Sequence, residues 1–474
     1  MYHHGGQEVY TVKNLVEDYS VTTNCMGPSK KGLKNIKRHL SSIQHYPPTD
    51  KGYFKKGLEF LNTTEDHVIW GNGASELIDL TIRYLCKEFS YRTYTKAESV
   101  QFMEYERSCV QCGLKPSEKG DILVIINPNN PTGTYTTCED IILNKLSPGG
   151  TIIVDESMLF WLDSWREKSM MQFTFSNVIV IHSWTKIFSC TGVRFGSVWS
   201  HNTSLIKGIQ SLQVPWSVNI LAYHYLDGCL DDEEYLETTR KETQRIRSIM
   251  CDTIMSLFPF ITIHGEYFLS WLWIDCKSSV LADTIYSKMY DNGILVRRGA
   301  IGYNRPTFVR IAVRKDNTLL FRILEQIRKE VFCPKYMYTF EEDFVYGVVK
   351  IDTQYLLRHE SVVEERRDNL KKYLENNDYF VLPSIVVCCE TLTVLDGHHR
   401  LEIYRENGIR EVPVLLVRYD RQCIQAHPDR HIDKNEIIQR AQNGNLFPPK
   451  STKHVIQDVH GKMFPLISIS VLIV

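Results

Sequence analysis

Three things are missing from this sequence: a surplus of positive charge, an apolar run long enough to cross a bilayer, and a regular cysteine framework. Its 474 residues carry 55 Lys and Arg against 56 Asp and Glu, a formal charge of −1. Nucleic-acid binders usually carry a basic surplus to meet phosphates, so the balance weighs against that class. The longest apolar run, "FPLISISVLIV" at the C-terminal end, falls well short of the ~20 residues a membrane helix needs, and its alternation predicts a strand. The opening "MYHHGGQEVY" has no apolar core of a secretory signal, so the expectation is a cytoplasmic chain. Thirteen cysteines are scattered without pattern, which fits free thiols in a reducing compartment. The one CxxC, Cys109–Cys112, lacks a second ligand pair at zinc spacing and reads as two helix cysteines. There are no internal repeats and no low-complexity segment.

What is present is ordinary globular composition, 43% hydrophobic and 23% charged, in a chain long enough for two or three domains. Short β-branched runs alternate with helical stretches through the first half: "DHVIWGNG", "DILVIINP", "GTIIVDES", "NVIVIHSW". Each ends in a loop of Gly, Asn, Asp or Ser. This predicts a parallel α/β sheet with polar site residues at the carboxyl ends of strands. After "VPWSVN" a long helix and three strands ("FLSWLWID", "ILVRRG", "FVRIAVR") predict a smaller α+β part, about 226–335. The stretch "CPKYMYTFEED" reads as a linker. A second unit, 340–474, follows residues 1–335.

Four polar stations stand at strand ends in the first unit. "GNGASE" offers Gly73, Ala74 and Ser75 where a helix opens, and its free N–H groups suit a phosphate. "NPNNPTG" offers Asn130 and "VDES" offers Asp155. "SWTKIFSCTGVRFG" offers Ser183, Lys186 and Arg194. Singly, each has a plain reading as a cap, a turn or a surface charge. Together they suit pyridoxal phosphate: a buried lysine for its aldehyde, an aspartate for the pyridine nitrogen, and an arginine and a serine for its phosphate.

These motifs resemble fold-type I aminotransferases of the histidinol-phosphate branch, and more closely the threonine-phosphate decarboxylases. The likeness spans about residues 3–330 and includes "HGG" (4–6), "DYSVTTNCMG" (18–27), "HYPPTDKGYF" (45–54), "FMEYER" (102–107), "VPWSVN" and "ILVRRG". The resemblance implies an aspartate aminotransferase-like fold with large and small domains, and a homodimer in which Tyr53 reaches the partner's cofactor phosphate. It also implies that Phe102 stacks on the cofactor ring, Asn130 bonds its 3-oxygen and Arg310 holds the substrate α-carboxylate. His4, Asn24 and Arg297 would face a substrate phosphate. Met158 stands where the aminotransferases carry tyrosine, which favours the decarboxylase side of the branch.

The second unit has its own polar knot, "VLDGHHR". Gly397 permits a tight turn, Asp396 can take magnesium, and His398, His399 and Arg400 can meet phosphate oxygens. Adjacent His398 and His399 point apart, which disfavours a shared metal. Upstream lies Glu360. Downstream "FPPKSTKH" sets Lys450, Ser451, Thr452 and His454 on a stiff cationic loop suited to a nucleotide phosphate. A solvated loop is the plain alternative. The unit resembles ParB/sulfiredoxin-like free serine kinases, an α+β class. That resemblance implies Glu360 as general base on the serine hydroxyl, with magnesium and ATP or ADP as cofactors.

Joined, the two resemblances imply that L-serine is phosphorylated to O-phosphoserine and then decarboxylated to phosphoethanolamine. The partners would be these small molecules and the nucleotide, with no nucleic acid and no membrane. Alternatives are a threonine-phosphate decarboxylase or an aminotransferase with a nucleotide-sensing C-terminal unit, and a DNA-associated scaffold.

Overall fold

The computed structural model describes residues 5–137, 145–331, 344–375, 382–470 and 472–473. His4 and the linker at 333–343 lie outside them. A seven-stranded sheet forms the large domain. Its strands are β1 (Val68–Gly71), β2 (Thr93–Lys96), β3 (Lys115–Pro116), β4 (Gly120–Ile126), β5 (Leu146–Asp155), β6 (Val178–Ser183) and β7 (Gly196–Trp199), in the order β1-β7-β6-β5-β4-β2-β3. Strands β3, β2, β4, β5 and β6 run parallel, while β7 is antiparallel to both β6 and β1. The sheet is therefore mixed where the alternating pattern predicts a parallel one. The apolar run Ile122–Ile126 is buried throughout, as a strand covered on both faces requires. Helices α1 (Ala74–Glu88), α2 (Glu104–Gln111) and the single turn α3 (Trp184–Ile187) follow strand-end loops.

The small domain sets the 25-residue helix α4 (Glu233–Leu257) and helix α5 (Ser279–Asp291) around an antiparallel sheet. Its strands β8 (Thr262–His264), β9 (Trp271–Asp275), β10 (Arg297–Arg298) and β11 (Phe308–Ala312) are ordered β10-β11-β9-β8. Register places Arg297 directly opposite Arg310.

The C-terminal unit is α+β. Strands β12 (Val345–Asp352), β13 (Ile385–Cys388), β14 (Val394–Asp396) and β15 (Glu411–Val417) form a mixed sheet in the order β12-β15-β13-β14, and helix α6 (His398–Glu406) follows β14. The unit does not hang free. Met250, Ile254 and Ile285 of the small domain share one continuous apolar core with Tyr346, Ile351 and Val414. The rim is polar: Glu411 accepts the Ser279 N–H and hydroxyl, at 2.5 and 2.6 Å, and the Asp352 N–H donates to the Lys277 carbonyl at 2.9 Å. The alternating C-terminal run is not one strand. It forms the end of a short strand at Met463–Pro465, then a 3-10 turn at Leu466–Ile469, then a two-residue strand at Leu472–Ile473. Pro465, which cannot donate to a ladder, stands at the break.

Candidate active site

Lys186 sits on the one-turn helix α3, directly after strand β6, and is half-buried. Its Nζ lies 3.3 Å from the Ser183 hydroxyl and 3.4 Å from that of Thr185. Burial pushes this ammonium down to about 8, the Arg194 guanidinium adds to the effect, and Asp155 opposes it. The shift raises the neutral, nucleophilic fraction far above that of an ordinary lysine, although the ammonium still predominates at pH 7. Asp155, at the end of β5, accepts the Tyr105 hydroxyl at 2.8 Å and the Ser157 N–H at 2.9 Å. The Ser157 hydroxyl in turn accepts the Ser183 N–H at 2.7 Å, tying the ends of β5 and β6 together.

The helix α1 end completes the first half of the site. Gly73 has φ +82°, and a Cβ there would stand 2.2 Å from an Arg194 guanidinium nitrogen. Only glycine leaves room for that guanidinium over the opening of α1, where Gly73 provides no side-chain cap to the first N–H groups. Ala74 and Ser75 form the first turn. The result is a cradle of backbone donors, one guanidinium and the Ser183 hydroxyl, which fits a phosphate monoester. With Lys186 and Asp155 beside it, the donor set fits pyridoxal phosphate.

The small domain contributes two arginines, of which Arg310 acts on Lys186. Arg310 is 5% exposed. It donates to the Asn130 Oδ1 and, at 2.7 Å, to the Ser20 carbonyl. Arg297 is 3% exposed across the ladder from it. Phe102 is half-buried against the large-domain core, ahead of helix α2. Tyr53 is 46% exposed, its ring edge-on to Tyr223.

A scan against protein families matches the class I and II aminotransferase model over residues 18–327. The chain belongs to that family. The match ends before the C-terminal unit. A provisionally named threonine-phosphate decarboxylase of Caldanaerobacter subterraneus subsp. tengcongensis is 25% identical over 363 residues, 70% of this chain and 96% of that one. Two solved structures share the aminotransferase fold. The L-threonine-O-3-phosphate decarboxylase of Porphyromonas gingivalis has a TM-score of 0.56 and 18% identity, covering 66% of this chain and all of its own. The histidinol-phosphate aminotransferase of Sinorhizobium meliloti, in complex with pyridoxal-5'-phosphate, has a TM-score of 0.58 and 14% identity, covering 66% and 92%. The donor set around Lys186 fits the cofactor that the Sinorhizobium structure holds.

Asn24 departs from the expectation of a phosphate ligand. It is 3% exposed, and its Nδ2 is spent on the Ile187 carbonyl and the Tyr235 and Thr239 hydroxyls, while its Oδ1 accepts the Met26 N–H. It ties the N-terminal segment to the turn that carries Lys186. Tyr105, Ser157 and Cys190 were not singled out from sequence. The only signal for Tyr105 was its place in "FMEYER", one helical turn after Phe102.

The C-terminal unit gathers a second cluster. Glu360 accepts the N–H groups of Lys450 and Thr452, at 2.5 and 2.9 Å, and the Thr452 hydroxyl at 2.7 Å. The 448–454 loop is therefore wrapped on this carboxylate. Ser451 turns its hydroxyl back to the Pro448 carbonyl. The Lys450 side chain is exposed, with φ +63° in its backbone. Asp396 pairs with Arg400 at 2.6 Å, and His399 accepts the Val363 N–H at 2.9 Å.

His398 and His454 turn inward rather than toward a ligand. His398 meets the His359 ring at 3.2 Å, and His454 bonds the Tyr419 hydroxyl at 2.7 Å. Burial, then the neighbouring imidazoles, holds both well below the usual histidine range, so they are neutral packing groups at neutral pH. Among the described residues no group of three or more His, Cys, Asp and Glu side chains forms a metal cage. A magnesium at Asp396 would have to compete with Arg400 and draw most of its ligands from phosphate and water.

Proposed function

We propose that the first unit decarboxylates O-phospho-L-serine to phosphoethanolamine, and that the C-terminal unit makes that substrate by phosphorylating free L-serine. The observation carrying the first step is the buried, directly opposed pair Arg297 and Arg310, the second of them within electrostatic reach of Lys186. Like charges facing across a ladder destabilise a sheet, so the pair favours a ligand with two anionic groups. An amino acid bearing an α-carboxylate and a phosphate ester supplies both.

When bound, pyridoxal phosphate withdraws the electron pair released at Cα. The chain's own residues do the rest. Gly73, Ser183 and Arg194 would hold the cofactor phosphate, and Asp155, fixed by Tyr105, would hold the proton on its ring nitrogen. Asn130 and Arg310, one bonded unit, would orient the carboxylate, and Arg297 would take the ester phosphate. Lys186 Nζ would deliver to Cα the proton that replaces the departing carbon dioxide.

The second step is supported by Glu360. Held by the 448–454 loop, it would act as general base for the serine hydroxyl. Gly397, with φ +105°, opens helix α6 without a side-chain cap and leaves N–H groups for phosphate. Asp396 would carry magnesium, and ATP or ADP would supply the phosphoryl group. The likeness to threonine-phosphate decarboxylase would by itself favour threonine, one methyl larger. Such a difference is worth about 1–3 kcal/mol in a pocket, and the fused kinase-like unit favours serine.

The test is a stoichiometry. Purified protein with pyridoxal phosphate and O-phospho-L-serine should release carbon dioxide and phosphoethanolamine without a keto acid. Product formation that requires 2-oxoglutarate and releases no carbon dioxide would make the domain an aminotransferase instead.

A further inference from the structure

Tyr303 is a residue that no sequence motif marks. It sits in the turn between β10 and β11, where Gly302 (φ +87°) and Asn304 (φ +52°) reverse the chain on either side of it. A Cβ at Gly302 would stand 2.9 Å from the Met103 methyl carbon and 3.0 Å from an Arg297 guanidinium nitrogen, so glycine keeps this turn pressed onto the site. The Tyr303 ring is 9% exposed and packs edge-on to Trp273 at 5.7 Å. The Arg297 guanidinium carbon lies 5.6 Å from its ring centre, and its hydroxyl lies within electrostatic reach of both Arg297 and Arg310.

The proton inventory of that group is informative. A guanidinium has five donors and no acceptor, so neither arginine can take the phenol's hydrogen. Both can only donate to its oxygen. Among the described residues no acceptor is bonded to the Tyr303 hydroxyl. A nine-tenths-buried phenol flanked by two cations thus has a donor hydrogen that no described residue accepts. An anionic oxygen brought in by a ligand to the same two arginines would accept it.

The geometry points to Tyr303 as a substrate-binding residue that donates its hydroxyl hydrogen to the dianionic substrate between Arg297 and Arg310. This rests on the phospho-amino-acid reading of the same site and assigns the residue that links its two anion subsites. A substrate carrying both anions meets all three groups, whereas one carrying a single anion leaves one arginine and the phenol less completely served. Tyr303 therefore favours phospho-amino acids over plain amino acids and over phosphoamines.

The test is calorimetric binding of O-phospho-L-serine, L-serine and phosphoethanolamine to the full chain before cofactor is added, with wild type and Tyr303→Phe. Phenylalanine keeps the ring against Trp273 and removes only the hydroxyl. A hydrogen bond to a charged group implies about ten- to a hundred-fold weaker phosphoserine binding in the variant. Pyridoxal phosphate affinity, read by absorbance, should be unchanged and reports that the fold is intact. Equal phosphoserine affinity in both proteins overturns the role of Tyr303 and leaves the substrate class standing. Failure of wild type to bind phosphoserine overturns the substrate class and the role together. A loss equally large for L-serine overturns the link between the two subsites.

Discussion

Lys186 makes the native protein pay for its own reactivity, and the cost is measurable without any substrate. Burial and Arg194 lower its ammonium from 10.5 to about 8 in the folded chain. Between those two pH values the unfolded chain holds a proton that the native one does not, so stability rises with pH across the window. A shift of roughly two and a half pK units corresponds to about 3 kcal/mol, all of it a penalty at neutral pH. Lys186→Met fills similar space without a charge. In the cofactor-free protein at pH 7 the variant should therefore be more stable than wild type by about 3 kcal/mol, less any packing mismatch. Raising the pH to about 9.5 should recover about 2 kcal/mol of that for wild type alone, narrowing the gap. Cys190, the nearest thiol, is pushed up to about 12 by burial and stays neutral through the window. Other titrations are common to both proteins and cancel in the difference. Urea denaturation at the two pH values, read by tryptophan fluorescence, gives the numbers. A gap that does not change with pH, or a variant less stable at pH 7, would refute a destabilised ammonium at this position.

Gly73→Ala should strain a backbone at φ +82° and push the Arg194 guanidinium from its seat. Pyridoxal phosphate should then bind about ten- to a hundred-fold more weakly by absorbance titration, and an unchanged affinity would remove Gly73 from the cradle. Glu360→Gln should slow phosphoserine formation from serine about 100- to 10,000-fold, the usual range for a lost general base. Carbon dioxide release from added phosphoserine should be unaffected, and a parallel loss of both would assign Glu360 a structural role.

Lys186, Asp155, Ser183 and Gly73 were legible because each follows an apolar strand within a few residues, and strand ends of an α/β sheet converge in space. The antiparallel direction of β7 was not legible, since a buried run of β-branched residues reads alike in either direction. Side-chain destinations were the harder matter. Asn24 and His454 carry the polar character of ligands. Yet Asn24 is consumed by Tyr235 and Thr239, more than two hundred residues away, and His454 by Tyr419. Sequence shows that a group can bond but not which partner folding delivers. Tyr303 is the converse case. An isolated aromatic in "AIGYNR" looks like a loop residue until the turn places its hydroxyl beside two arginines from paired strands. In the C-terminal unit the motif residues Glu360 and Thr452 do meet, but "DGHHR" divides, with His398 packed inward, His399 on the Val363 N–H and Arg400 paired with Asp396.

The central claim, two successive steps in one chain, is tested most directly with carboxyl-labelled L-serine, pyridoxal phosphate, magnesium and ATP or ADP, following labelled carbon dioxide. Wild type should release it. Lys186→Ala should release none even with phosphoserine supplied, and Glu360→Ala should release it only from phosphoserine. Release from serine without nucleotide, or none from wild type with either serine or phosphoserine, would contradict the account.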